Sequence, residues 1–224
     1  MTGRGTVRVA LLGAAVAFAL RAAAERRELR RALEEVIGSP PIRTEAQLLR
    51  LHHALHARID PRAVDKEARR PLLRNRAVEV WRSGVGLCGE NARVAIALLD
   101  LGGVRANRLY LRGERWDHCM AEILWRGRWV AFDGHDDEAL RMTDDQVGQL
   151  PSTDIASLPN RAGRNPWRRA VRFKPLLATA PSGLDAVRPP RTLVRMAESP
   201  DAIRALALMV AAAFVPRRSS VRRG

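Results

Sequence analysis

Apolar and polar positions follow a helical period through the first third of the chain. From Val7 to Val36 only Gly13 interrupts that period, and the run divides into an apolar half, Val9 to Leu20, and a charged half rich in Arg and Glu. Gly38-Ser39-Pro40-Pro41 ends it. Thr44-x-x-Gln47 then has the form of a capping box, in which each residue's side chain satisfies the other's backbone N–H. It precedes Leu48, Leu51, Leu55 and Ile59, which fall on one helical face, and Pro61 stops this second helix. Helical spacing resumes over about 63 to 82 with a break at Pro71.

Gly84 and Gly86 end that pattern, and the spacing predicts a new helix from Cys88 to Leu101. Ala92, Ala95, Ile96 and Leu99 form its apolar stripe, and Gly102-Gly103 supplies its C-terminal cap. Beyond it lie strand-like runs over about 104 to 112, 118 to 125 and 128 to 133, separated by Gly113 and by Arg126-Gly127. They predict an antiparallel sheet. An acidic Asp136-Asp137-Glu138 follows, then a short helix capped by Thr143, then a stretch rich in Pro and Arg that reads as irregular up to about Pro190. A last helix opens at Ser199-Pro200 and carries Ile203, Leu206, Met209, Val210 and Phe214 ahead of a basic tail. The fold class is therefore α+β: a helix packed on an antiparallel sheet, with a helical N-terminal region. The organisation reads as an N-terminal helix over 1–38, a central domain over 39–160 and a basic C-terminal extension over 161–224.

Length and composition, at 224 residues with 46% hydrophobic and 28% charged, fit one soluble domain with its own core. The net charge of +15 first suggests nucleic acid or an anionic membrane as partner. Its distribution redirects that inference. Lysine occurs only at Lys66 and Lys174, and the stretch 84–160 carries about four more acids than bases. A cleft there lacks the convergent cations that a phosphate-bearing substrate needs. Nucleic acid is left with the segment Arg161–Lys174, where Trp167 and Phe173 interleave with Arg, and no known nucleic-acid module is apparent in it. The first residues imitate a secretory signal, with Arg4 and Arg8 before the apolar run and Ala22-Ala23-Ala24 after it, but Arg21, Arg26, Arg27, Arg30 and Arg31 follow at once. The run is shorter than the roughly 20 apolar residues that span a bilayer. It reads as an ordinary helix or one in peripheral contact with a membrane, on a cytoplasmic protein, a signal peptide over 1–24 and a membrane anchor being the alternatives.

Candidate chemistry concentrates between Gly84 and Asp133. Cys88 stands at the first turn of its predicted helix, where unpaired N–H groups and the positive end of the helix dipole favour a thiolate. The backbone N–H of Cys88 is a candidate oxyanion donor, and the preceding glycines would let a substrate approach. If Arg126-Gly127 is a two-residue turn, Trp125 pairs with Arg128 and Met120 with Asp133, so His118 and Asp133 share a face as diagonal neighbours. A one-residue slip would separate them. Asp133 would then fix the His118 tautomer, and His118 would draw the proton from Cys88.

These residues resemble the transglutaminase-like superfamily of papain-fold cysteine enzymes. Gly86-x-Cys88-x-x-x-Ala92 with Leu98-Leu99 and Gly103-Val104 looks like that family's nucleophile helix. His118-x-x-x-Glu122 and Gly127-x-Trp129-Val130-x-x-Asp133 look like its His and Asp strands. The match covers about 50 residues. It implies a papain-like, transglutaminase-like core, a Cys88-His118-Asp133 triad, a thioester intermediate and a protein or peptide substrate, with neither cofactor nor metal. Departures are Cys119-Met120 where members commonly have Ala-Trp, Gly134 where they have Pro, and Arg105-Ala106-Asn107 where they have Pro-Ala-Arg. Cys88-Gly89-Glu90-Asn91 also resembles, more partially, the nucleophile segment of arylamine N-acetyltransferases. A papain fold kept as a non-catalytic binding or scaffold module, with basic flanks on a membrane or partner, is the alternative from another class.

Other residues are weighed against blander roles. Trp81 could line the cleft or donate to an oxyanion, or simply pack in the core. Cys119 should point away from the catalytic face and be buried. His135 could assist the base. His52, His53 and His56 have helix spacing able to hold zinc, although no second ligand cluster accompanies them. Trp116, Trp129 and Glu122 read as packing or hydrogen-bonding residues beside the catalytic strands.

Overall fold

The computed structural model describes residues 3–60, 75–115, 117–134, 167–172 and 187–215. Helix α1, Gly3–Ile37, is continuous across its apolar and charged halves. Leu29, Leu33 and Ile37, spaced four apart, put its second half into the main core. Helix α2, Glu45–Arg58, starts as its sequence predicts: Thr44 Oγ1 accepts the Gln47 N–H at 3.2 Å and Gln47 Oε1 accepts the Thr44 N–H at 3.2 Å. Leu48, Leu51 and Leu55 are fully buried beneath it. Helix α3, Ala77–Ser83, follows, and helix α4, Cys88–Leu101, begins on the predicted residue.

One apolar stripe was expected on α4, but most of its surface is covered. It packs against α1, α3 and the sheet, so Arg93 and Asp100 are buried along with Val94, Ala95, Leu98 and Leu99. The sheet comprises β1, Ala106–Gly113, β2, Asp117–Trp125, β3, Arg128–Phe132, and β4, Trp167–Val171, in the antiparallel order β3-β2-β1-β4. Strand β4 corrects the expectation that its region is irregular. It pairs Leu111 with Ala170 and Tyr110 with Val171. Helix α5, Arg191–Glu198, precedes α6, Pro200–Phe214, where only one helix was expected. Among α5 residues only Val194 is buried, and its hold on the fold is ionic: Arg191 and Arg195 pair with Asp100, and Glu198 with Arg108.

Alternation along the strands separates two faces. Ala106, Ala121, Ile123, Val130 and Phe132 join the helices in the main core. Leu109, Leu111, Met120, Ala131 and Trp167 form a second, smaller cluster on the other face. The expected helix through 63–74 with its break at Pro71, the acidic turn with the Thr143 helix, and the tail after 215 lie outside the described residues.

Because α1 contributes Leu33 to the core but leaves Leu20 66% exposed, truncating them should give different results. Leu33→Ala should cost about 2–5 kcal/mol in denaturant unfolding, through lost burial and a residual cavity. Leu20→Ala should change stability by less than about 0.5 kcal/mol.

Candidate active site

Helix α4 begins at a tight junction. Leu87 occupies the N-cap of α4, and its N–H donates to the Glu90 carboxylate at 3.1 Å, so the first turn is tied back on itself. Gly86 was expected to make room for substrate. Instead, a Cβ there would lie 2.9 Å from Val80 Cγ1 and 3.3 Å from Ile59 Cγ2, so this glycine lets the loop press against α2 and α3. Cys88 itself is half-buried and carries a free thiol.

His118 and Asp133 come from the β2–β3 hairpin. Arg126 and Gly127 both have positive φ, 48° and 79°, as a two-residue turn of the mirror-image type requires. The ladder then runs Trp125 to Arg128, Leu124 to Trp129, and on to Ala121 with Phe132. One further step sets Met120 beside Asp133, on the face that also holds His118. There His118 Nε2 lies 2.6 Å from Asp133 Oδ2, with the carboxylate only 1% exposed. A carboxylate only accepts, so Nε2 carries the hydrogen. Nδ1 is left for the Cys88 thiol, with which the ring hydrogen-bonds.

These contacts move two titrations toward each other. Burial alone would raise the Cys88 pKa, but the hydrogen bond and charge of His118, with the Cys119 backbone N–H, bring it below the ordinary thiol value. Burial likewise opposes charge on His118, yet the Asp133 carboxylate at 2.6 Å and the thiol together hold its pKa well above the ordinary imidazole value. Both shifts act in the direction of thiolate and imidazolium.

Several supporting residues were not found from sequence. His52 on α2 donates from Nε2 to the Asp133 backbone carbonyl at 2.6 Å, and Asn91 on α4 donates to the Gly134 carbonyl at 2.9 Å. Together they fix the end of β3. A Cβ on Gly134 would come within 2.7 Å of Asn91 Oδ1 and 2.9 Å of Leu55 Cβ, so the close packing admits no side chain there. Trp167, expected only in a nucleic-acid segment, stacks on the His118 ring with centroids 6.2 Å apart and an interplanar angle of 29°. No local signal marked it, because its strand is distant in sequence. Arg108 Nη1 donates to the Gly89 carbonyl at 2.7 Å and reaches Cys119 Sγ at 3.2 Å, while its Nε donates to Glu198 Oε1 at 2.7 Å. A buried cation thus braces the residue after Cys88.

Cys119 is buried on the face opposite His118, as alternation predicts, and burial raises its pKa. Glu122 is fully buried and receives Arg172 and Arg188; Arg188 in turn lies 4.5 Å over the Trp129 ring. Trp81 packs in the main core with Arg58 4.6 Å over its ring. His52 is engaged with Asp133, and among the described residues no His, Cys, Asp and Glu group is arranged to hold a metal ion. His135 and Trp116 lie outside the described residues.

No protein-family model matches the chain, and no curated protein sequence matches it. Among solved structures, the chain is similar to a candidate cysteine protease from Cytophaga hutchinsonii, at 15% identity and a TM-score of 0.41. The overlap covers 49% of this chain and 37% of that one. A likeness this partial identifies neither an activity nor a substrate.

Placing a methyl group on Gly134 forces Asn91 or Leu55 to yield, so Gly134→Ala should lower unfolding stability by about 1–3 kcal/mol. Because Asp133 precedes it, the variant should also slow Cys88 alkylation measured near neutral pH.

Proposed function

We propose that the chain is a transglutaminase-like cysteine enzyme that cleaves or transfers amide or peptide bonds through Cys88, His118 and Asp133. The observation that carries this reading is the buried His118–Asp133 hydrogen bond, set beside a thiol at the first turn of α4. The Cys88 thiolate attacks the carbonyl carbon, and the oxyanion that forms faces the N-terminal turn of α4, where the Cys88 backbone N–H is the candidate donor. Imidazolium at His118 gives its Nδ1 proton to the departing nitrogen as the C–N bond breaks, leaving a thioester. Water or an amine then attacks, His118 takes its proton, and the thiolate leaves. Hydrolysis makes the chain a peptidase or amidase; amine attack makes it a transamidase.

Asp133 stabilises the imidazolium throughout and does not itself change protonation. Trp167, stacked on the ring, limits its rotation. A protein or peptide is the substrate class that fits a mildly acidic stretch with a half-buried thiol, and His118 is the chain's proton donor and acceptor toward the substrate.

Reactivity of the thiol tests the reading directly. Iodoacetamide should alkylate Cys88 at about pH 6 at least tenfold faster than an ordinary thiol, whose pKa is about 8.5. Asp133→Asn should abolish most of that advantage, because the unpaired imidazole loses its raised pKa and with it the thiolate. Equal rates for Cys88 and a model thiol would refute the mechanism. A screen of peptide and glutamine-amide substrates, with Cys88→Ala as the inactive control, then separates hydrolysis from transamidation.

In the pH profile, the raised His118 pKa places loss of the acid at high pH and the lowered Cys88 pKa places loss of the nucleophile at low pH. Activity should therefore plateau between the two shifted values and fall on either side. A single sigmoid centred near the ordinary thiol pKa would mean that the pair does not form.

A further inference from the structure

Away from the site, α1 and α6 form an antiparallel pair whose apolar surface is largely uncovered. Their direction follows from the contacts: Arg21 pairs with Asp201, and the Phe18 ring lies 5.7 Å from the Arg204 guanidinium. Position rises along one helix as it falls along the other. Only one stripe of each helix is used in this packing, with Ala15 on α1 and Ala205 and Ala212 on α6 buried. The remaining faces expose Val7, Val9, Leu12, Val16 and Leu20 on α1, and Leu206, Met209, Val210 and Phe214 on α6. Phe214 is 83% exposed. Of the apolar window on α1, 6% is buried.

Arginine bounds both apolar segments at both ends. On α1 the run from Val9 to Leu20 lies between Arg8 and Arg21; on α6 the run from Ala205 to Val215 lies between Arg204 and, in sequence, Arg217-Arg218. The helices are paired so that Arg21 and Arg204 stand at the same level, beside Phe18. Each run is roughly 17 Å long at about 1.5 Å per residue, little more than half the roughly 30 Å hydrocarbon core of a bilayer.

We infer that this helical pair is a membrane-docking surface, lying in the interface of a bilayer rich in acidic headgroups. The apolar faces enter the boundary between acyl chains and headgroups, and the Arg rims meet lipid phosphates and carboxylates. Length and composition alone also allow α1 to cross a bilayer, and it is the packing of α1 along the short apolar run of α6 that favours docking in the interface. A second copy of the chain is disfavoured by the same rims, since an isologous contact through this patch would bring the Arg rims of one copy against those of the other. A nucleic acid would leave the apolar faces in water. The inference stands independently of what Cys88 does.

Co-sedimentation of the full chain with vesicles provides the test. The full chain should bind phosphatidylcholine vesicles carrying about a third phosphatidylserine, and bind at least tenfold more weakly to pure phosphatidylcholine. Val16→Glu with Val210→Glu, both at exposed positions, should reduce binding to the acidic vesicles about tenfold or more with an unchanged circular dichroism spectrum. The Cys88 alkylation rate should also stay unchanged, so a failure of this surface is distinguishable from a failure of the catalytic reading. Equal binding to both vesicle types, no binding to either, or full binding by the double variant would overturn the inference. So would a wild-type dimer in solution that the double variant dissociates, which would assign the face to a second copy.

Discussion

Everything at the site depends on holding one buried carboxylate beside one imidazole. Asp133 is withdrawn from water, which costs several kcal/mol for an unpaired charge, and only a close partner offsets that cost. His118 is that partner at 2.6 Å. The geometry is narrow, so the backbone that carries Asp133 must not drift. His52 from α2 and Asn91 from α4 grip the carbonyls of Asp133 and Gly134, which means that the two helices packed under the sheet also set the orientation of the acid. Because Asn91 lies in the same helix as Cys88, the thiol and the Asp133 carboxylate are referred to a common rigid body.

A second buried charge set performs a similar task for Cys88. Arg108 on β1 bonds the Gly89 carbonyl and receives Glu198 from α5, while Arg93 on α4 lies 3.6 Å from the same carboxylate and donates to the Asn75 carbonyl at 3.0 Å. Such a network is weak as a source of net stability, because desolvation consumes much of the attraction. Its consequence is positional. It joins the sheet, α4 and a helix some ninety residues further along the chain at the turn that begins with Cys88. Residues far beyond the motif thereby bear on how its thiol is presented.

Those long-range supports explain what could and could not be read in advance. The α2 cap, the start of α4 and the Arg126-Gly127 turn were legible because each is decided by residues within a few positions. Once that turn was read, period-two alternation placed His118 and Asp133 on one face. Strand β4 was hidden because Trp-Arg-Arg-Ala-Val lacks clear alternation and is defined by pairing with β1. Helix α5 was hidden because ion pairs to Asp100 and Arg108 hold it, with only Val194 buried. His52 illustrates a different failure: its spacing with His56 suggested a metal, whereas its actual partner is a carbonyl 81 residues away.

The departures from the transglutaminase-like pattern gain a physical reading from the same contacts. Gly134 stands where that family commonly has proline, and here Asn91 and Leu55 crowd the position so closely that a Cβ would meet them within 3 Å. Cys119, where that pattern commonly has a small apolar residue, sits 3.2 Å from Arg108, a cation that also braces Gly89. Each of these residues is thus held by a neighbour from another element, so the surroundings of Cys88, His118 and Asp133 are set by long-range packing rather than by the residues beside them in sequence.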